Sequence, residues 1–448
     1  MQKWYITWGI VLLIAGFARF YRLPARTPFD WDQNRDYQKV ESIVGGKFTL
    51  LGPIAKGDNG FYLGPMYYYL LVPGFLATSG NPLSFAITSI TLDLATIALI
   101  FYLAKKRAKE RFMLTIVGII WSLSWFVIEN SHISWNVSLL PLWVTLMYAF
   151  ATAHNLTPRR LTLCGLIAGL SWHIHASLLP LSFLLPIFFT SSKLSFIKKY
   201  LYFAIGYLMP ILPLLAFDIR HAFFNMRLML NFASTTAYAS HPPISMLIPD
   251  VIMKIGKNTL GILTGYVVPS IYVGVLVLLL AIIGLAKRSR ATVWCGLIII
   301  LNFFFVLALR DLRFPEYYLA VGFLPMLILI GELISSRVAL IVLTTIFIGL
   351  NFHSYTYAAL PFSLEYKIAV VKAVASLGKP VDVRYELSPG REGGIVSLLR
   401  LNNVKVTQDA KTKIIFTDKT DGPVIIGGEL ATDVLQSGGM RVVKYEAN

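Results

Sequence analysis

Apolar runs of membrane length recur along most of this chain, and nothing else in it constrains the fold as strongly. A helix needs about 20 residues to cross roughly 30 Å of hydrocarbon. Eleven candidate spans follow: residues 5–20, 83–104, 112–129, 135–153, 161–175, 177–191, 197–217, 261–285, 292–309, 318–334 and 338–354. The fifth and sixth are short and meet at Trp172-His-Ile-His175, which predicts a broken pair. With 56% hydrophobic and only 14% charged residues in 448, and a mean hydropathy of +0.66, a water-soluble fold would have nowhere to hide its apolar surface. The expected class is a polytopic α-helical membrane protein.

The formal charge of +17 does not point to nucleic acid, because the basic residues sit in short clusters between apolar runs and not along one amphipathic face. Positive loops stay cytoplasmic. The clusters Lys105–Arg111, Arg159-Arg160, Lys193–Lys199, Lys287–Arg290 and Arg337 all fall on the side of Lys3. The expected protein is therefore a multi-pass protein of the plasma membrane with its N-terminus cytoplasmic, its first helix retained and its C-terminus outside. Residues 21–82, 218–260 and the tail from about 355 then lie outside. In the first of these, Gly60–Leu76 is apolar but broken by glycines and prolines, and reads as an interfacial helix anchored by Tyr67, Tyr68 and Tyr69. A second such helix is expected through Ile244–Ile255.

Beyond residue 355 the pattern changes to a helix over 363–377, strands over 381–386, 413–417 and 424–426, and a helix over 395–401. This predicts two domains: a transmembrane one over 1–355 and a small extracytoplasmic α/β domain over 356–448. The second carries no phosphate-binding glycine loop or metal spacing, and no chemistry is assigned to it.

Polar residues converge at the outer ends of the spans. Asp30, Asp32, Arg35 and Asp36 follow the first; Glu129, His132, Trp135 and Asn136 join the third and fourth; His173 and His175 lie between the fifth and sixth. Asp218, Arg220 and His221 follow the seventh, and Arg310, Asp311, Arg313, Glu316 and Tyr317 join the ninth and tenth. Charged groups at that depth are costly, so each is a functional candidate. Sugar transfer from a polyprenyl-phosphate carrier needs such a set. A carboxylate takes the acceptor proton, help worth about 10² to 10⁴ in rate. Arginines hold the leaving phosphate.

The arrangement resembles the GT-C membrane glycosyltransferases, in particular the group around the protein O-mannosyltransferases and the lipid A aminoarabinose transferase. Asp32-Gln33 is similar to that group's acidic pair after the first span. Gly64-Pro-Met-Tyr-Tyr-Tyr69 is similar to its interfacial helix, and Arg313-Phe-Pro-Glu-Tyr-Tyr-Leu319 to its late Arg-x-x-x-Tyr-Tyr segment. Gln33 departs from the pattern, since it cannot act as an acid or base. Asp32 is left as the base, with Asp36 or Asp30 as a second carboxylate. The resemblance implies inverting transfer on the outer face, from a polyprenyl-phosphate sugar to a glycan, lipid or protein acceptor, with no metal required.

The catalytic candidates are thus Asp32 and Asp36. The substrate-binding candidates are Arg35, Lys56, Tyr67, His132, Asn136, His173, His175, Arg310, Arg313 and Tyr317. Blander readings stand beside them. Asp32 equally suits an ion pair with Arg35 or Arg19, and Asp30 suits a cap on a helix beginning near Asn34. Arg310 and Arg313 suit salt bridges with Asp311 and Glu316, and Lys56 a solvated loop. A His-x-His pair suits zinc on a strand, but on a helix its rings face different ways. The rival functions are a transporter or flippase, for which Asp93 and Glu332 within the spans are the relevant carboxylates, and a passive membrane anchor for the outer tail.

Overall fold

The computed structural model describes residues 2–55, 60–234, 242–310, 312, 314–355, 358–408, 410–419, 425–426 and 429–446. In chain order, α1 (Gln2–Phe20) passes through a short α2 (Leu23–Arg26) to α3 (Trp31–Val44) and α4 (Met66–Ala77). Then follow α5 (Leu83–Lys106), α6 (Arg111–Leu123), α7 (Trp125–Ser131), α8 (Leu140–Ala151), α9 (Pro158–Gly169), α10 (Leu179–Leu184), α11 (Phe196–Leu208), α12 (Leu212–Arg220) and α13 (Phe224–Ser234). The helical part closes with α14 (Ile244–Thr264), α15 (Ile271–Ala286), α16 (Arg290–Ala308), α17 (Phe323–Leu333) and α18 (Arg337–Asn351).

Among the described residues, five continuous helical stretches are long and apolar enough to cross a membrane: Leu83–Lys106, Phe196–Arg220, Arg290–Ala308, Glu316–Leu333 and Arg337–Ser354. Helices α6 and α7 make a sixth, bent by 63° at the break between them. Shorter apolar helices at Trp4–Phe20, Met66–Ala77, Asn136–Ala151, Ala176–Thr190 and Ile271–Ala286 complete a multi-pass membrane bundle.

Three expectations need correction. The span foreseen over 112–129 breaks at Ser124, whose extended backbone (ψ 119°) interrupts the helix; Asn351 Oδ1 accepts the freed Trp125 N–H at 2.9 Å. The fifth span ends as an α-helix at Gly169 and continues as tight turns through His173. The helix foreseen over 244–255 runs on to Thr264 and takes the start of the eighth span, because Gly265 at φ 78° terminates it in the left-handed region.

Tyr67 and Tyr68, expected as surface anchors, do not reach the protein surface. Both are buried, packed in the main core with residues of α3 and α5. Only Tyr69 is exposed, hydrogen-bonded to the Thr49 backbone.

One buried ion pair ties the front of the bundle together. Arg19, fully buried at the end of α1, donates from Nε to Asp93 Oδ2 on α5 at 2.6 Å and from Nη1 to the carbonyls of Ala15 and Ser122. Trp121 Nε1 supplies the other Asp93 oxygen at 2.8 Å. Every strong demand of this charge pair is met inside protein, which is what apolar surroundings require.

After residue 355 come α19 (Leu364–Ala375) and α20 (Ile395–Leu401), with strands β1 (Val381–Glu386), β2 (Thr412–Thr417), β3 (Ile425–Ile426), β4 (Glu429–Leu430), β5 (Thr432–Ser437) and β6 (Met440–Glu446). The larger sheet has the order β1-β2-β6-β5, with β1 parallel to β2 and the other pairs antiparallel. The hairpin joining β5 to β6, turning at Gly438-Gly439, had not been foreseen. The unit is zipped to the start of the chain by Leu360 N–H to Ala25 O and Leu364 N–H to Thr27 O, both 2.8 Å.

Asp93→Ala leaves Arg19 buried without its counter-charge and is expected to cost about 3–5 kcal/mol of stability, whereas replacing both partners by apolar residues costs much less. Thermal unfolding of the two variants in detergent checks this; equal losses would refute it.

Candidate active site

Helix α3 presents three faces. Gln33, Asp36, Tyr37, Val40 and Ile43 are buried. Trp31, Asn34 and Glu41, at helical spacing, meet the C-terminal unit through Glu392, Ser397 and Arg400. Between these faces Asp32 and Arg35 reach solvent.

The helix begins at Trp31, three residues earlier than foreseen, because Asp30 is its N-cap residue. Gln33 returns its Oε1 to the Asp30 N–H at 3.1 Å and donates its amide to the Ser134 carbonyl at 3.1 Å. The residue that departs from the family's acidic pair is therefore a capping and docking group.

Arg35 bridges the two carboxylates. Its Nη1 lies 2.7 Å from Asp32 Oδ1 and its Nη2 2.7 Å from Asp36 Oδ1. Arg19 is committed to Asp93, so it plays no part in this cluster. Asp36 is fully buried, and its Oδ2 has no hydrogen-bond partner among the described residues. Burial raises its carboxyl from the ordinary 3.8 to about 7, with Arg35 offsetting only part of that effect.

The bundle holds a cavity of about 500 Å³, lined by residues of α5, α6, α7, α14 and the 314–323 stretch. Its aromatic wall includes Trp135 and Tyr317, whose rings pack edge-to-face at 4.5 Å. At its polar end, Lys254 is 3.0 Å from Asp250 and Glu316 is 2.8 Å from Lys257. Asn258 adds a buried amide nitrogen without a hydrogen-bond partner among the described residues. A single stretch separates cavity and cluster: Ser131 and Trp135 line the cavity, while Ser134 joins Gln33 and Tyr67.

The remaining candidates divide. Tyr67 points its hydroxyl to Ser134 at 3.0 Å. His173 Nε2 pairs with the Pro210 carbonyl at 2.6 Å, and His175 Nδ1 caps a turn through Ser177. His132 Nε2 pairs with the Arg19 carbonyl at 2.7 Å, and Asn136 donates to the Ile174 carbonyl. All five are buried and hydrogen-bonded within the bundle. Arg310 is exposed just past α16, at φ 47°. Lys56 and Arg313 lie outside the described residues. Among the described residues no group of three or more His, Cys, Asp or Glu side chains could hold a metal ion. Lys254 on the expected interfacial helix over 244–255, and Asn258 between it and the next expected span, were not among the sequence candidates, since a lysine and an asparagine there look solvated.

The fold is thus a membrane helix bundle with an acidic helix after its first helix and a small α/β unit at its end. Among solved structures the chain is similar to ArnT from Cupriavidus metallidurans in the apo state, with a TM-score of 0.61 and 12% identity over 99% of this chain and 98% of that one. The same ArnT bound to undecaprenyl phosphate gives a TM-score of 0.49 and 11% identity over the same shares. At this identity the likeness to apo ArnT establishes the fold. No family model matches the chain, and no curated protein does.

Because Asp36 holds its proton in the folded state at pH values where the unfolded chain has released it, its contribution to stability is full below about 3.8 and lost as pH rises through about 7. Wild type should therefore lose stability relative to Asp36→Asn between pH 5 and pH 8. Thermal midpoints of both proteins at the two pH values check this, and a constant difference between them would refute it.

Proposed function

We propose that this protein is an inverting glycosyltransferase that moves a sugar from a polyprenyl-phosphate donor to an acceptor on the outer face of the membrane. The observation that carries the reading is Asp32: a carboxylate that reaches solvent, held by Arg35, one short stretch from an aromatic-walled cavity in a GT-C fold. Asp32 takes the acceptor hydroxyl's proton as that oxygen attacks the anomeric carbon. The bond from that carbon to the phosphate oxygen breaks, and the phosphate leaves with the electron pair. Arg310 and Arg313, which shortly precede the cavity-lining Phe314–Tyr317 in the sequence, are assigned to the leaving phosphate.

Asp36 stays buried and acts through Arg35, whose guanidinium it holds against Asp32. A base retained in this way needs no second carboxylate in contact with substrate, which accommodates glutamine at position 33. The aromatic cavity suits the sugar and the first isoprene units of the donor. The acceptor is a glycan, lipid or protein hydroxyl or amine that approaches the exposed edge of α3.

Transfer from a panel of radiolabelled polyprenyl-phosphate sugars, in membranes carrying wild type or Asp32→Asn, tests the reading. The variant is expected to lose about 10² to 10⁴ in turnover. An equally active variant would move the base elsewhere, and no transfer from any donor by wild type would favour transport. Sidedness is read from a reporter fused after residue 400, where a cytoplasmic signal would overturn the outer placement.

A further inference from the structure

We infer that the C-terminal α/β unit is part of the catalytic apparatus: Lys367 and the loop at Gly393 are positioning elements that fix the start of α3, and with it the direction in which Asp32 points. The inference rests on the proposed role of Asp32 and assigns a task to a unit whose sequence carries no chemistry of its own.

Lys367 lies on α19, fully buried, where a lone lysine would be expected in solvent. All three of its ammonium hydrogens have acceptors: the Phe29 carbonyl at 2.8 Å, Asp30 Oδ1 at 2.9 Å and the Gly393 carbonyl at 2.7 Å. One cation thus joins the residue before the α3 cap, the cap itself and the C-terminal unit's own loop. Asp32 follows the cap by two residues. Such a charge is tolerated inside protein only when each partner stays in place, so the contact is directional and stiff.

The loop meets the helix from the same side. A Cβ on Gly393 would come within 2.6 Å of the Asp30 carbonyl carbon and 2.7 Å of Trp31 N, so backbone lies directly against backbone. Gly394, at φ +82°, lies against the Phe29 ring in the same way. Further along, Trp31 Nε1 donates to Glu392 at 2.9 Å, Ser397 Oγ donates to Asn34 Oδ1 at 2.7 Å, and Arg400 pairs with Glu41.

The opposite face of α3 is fixed by the bundle through Gln33 and by Tyr37, whose hydroxyl donates to the Gly80 carbonyl at 2.8 Å. A helix gripped on two faces has one remaining edge, and that edge carries Asp32 and Arg35. Releasing the grip of the C-terminal unit lets α3 rotate or fray at its first turn without unfolding the bundle.

The test compares wild type, Lys367→Met and Gly393→Ala as full-length protein in detergent, by sugar transfer and by amide hydrogen exchange. Both variants are expected to lower kcat by about 10- to 10²-fold with donor KM changed less than about twofold, as a displaced base requires. Exchange should accelerate at the first turn of α3, while the sheet amides of Ile414 and Val442 keep their protection. Equal acceleration in the sheet would assign Lys367 to the folding of its own unit and overturn the proposal, as would unchanged kcat with unchanged exchange in α3. If Lys367→Met yields no folded protein, Gly393→Ala decides, since it acts only at the contact surface. If wild type transfers no sugar, the functional reading fails, and exchange alone still reports whether the C-terminal unit holds α3.

Discussion

The organisation of the front of this protein follows from the need to partner four ionisable side chains that are buried there. Arg19, Arg26, Asp36 and Lys367 are all 1% exposed or less. An unpartnered charge in such a place costs several kcal/mol, so each dictates the position of another segment. Arg19 brings α5 and the end of α6 to α1 through Asp93 and Ser122. Arg26 engages Glu129 on α7 and the Ala18 carbonyl, and thereby sets how α1 hands over to the acidic segment. Asp36 recruits Arg35, and Lys367 brings in the C-terminal unit. The acidic helix itself is held by two of these groups, Asp36 through Arg35 and Lys367 at its cap.

This arrangement separates two tasks that the proposed transfer combines. Proton abstraction needs a carboxylate with water access, and Asp32, paired with Arg35, has it. Holding an amphipathic donor needs aromatic and apolar walls with a few polar groups, which the cavity supplies from residues of α7, α14 and the Phe314–Phe323 stretch. The stretch 131–135 serves both, because consecutive residues face opposite sides. Its Ser134 contacts α3 and α4, and its Trp135 contacts the cavity. The bend at Ser124 gives α7 the direction that presents this stretch between the two.

The legible part of the sequence was the part written in local pattern. Apolar length placed most helices, and the clustering of Asp30, Asp32, Arg35 and Asp36 marked the helix that bears the proposed site. The strands at 381–386 and 413–417 followed from alternation. What escaped was settled by contacts between residues distant in the chain. Tyr67 and Tyr68 read as interfacial anchors because their burial depends on α3 and α5 closing over them. The backbone carbonyls and the seryl hydroxyl that meet His132, His173 and His175 likewise leave no trace in spacing. The helix over Ile244–Thr264 was divided between an interfacial piece and a span because hydropathy alone does not mark where a helix stops; Gly265 does.

Lys367 is the extreme case. Its partner Asp30 is 337 residues away in sequence, and on α19 it follows the spacing of an ordinary solvated lysine. A cation recruited over that separation is costly to bury and is retained only where geometry repays the desolvation. Here what it fixes is the N-terminal turn of the helix that bears the proposed base, while the other end of α3 is left to Arg400 and Glu41, an exposed pair of the kind that contributes little. The strength of the contacts is therefore graded along the helix, greatest at the turn where a shift of a fraction of an ångström would move Asp32 relative to its acceptor. An appended domain that served only for solubility or partner binding would not need its most deeply buried charge at that one point.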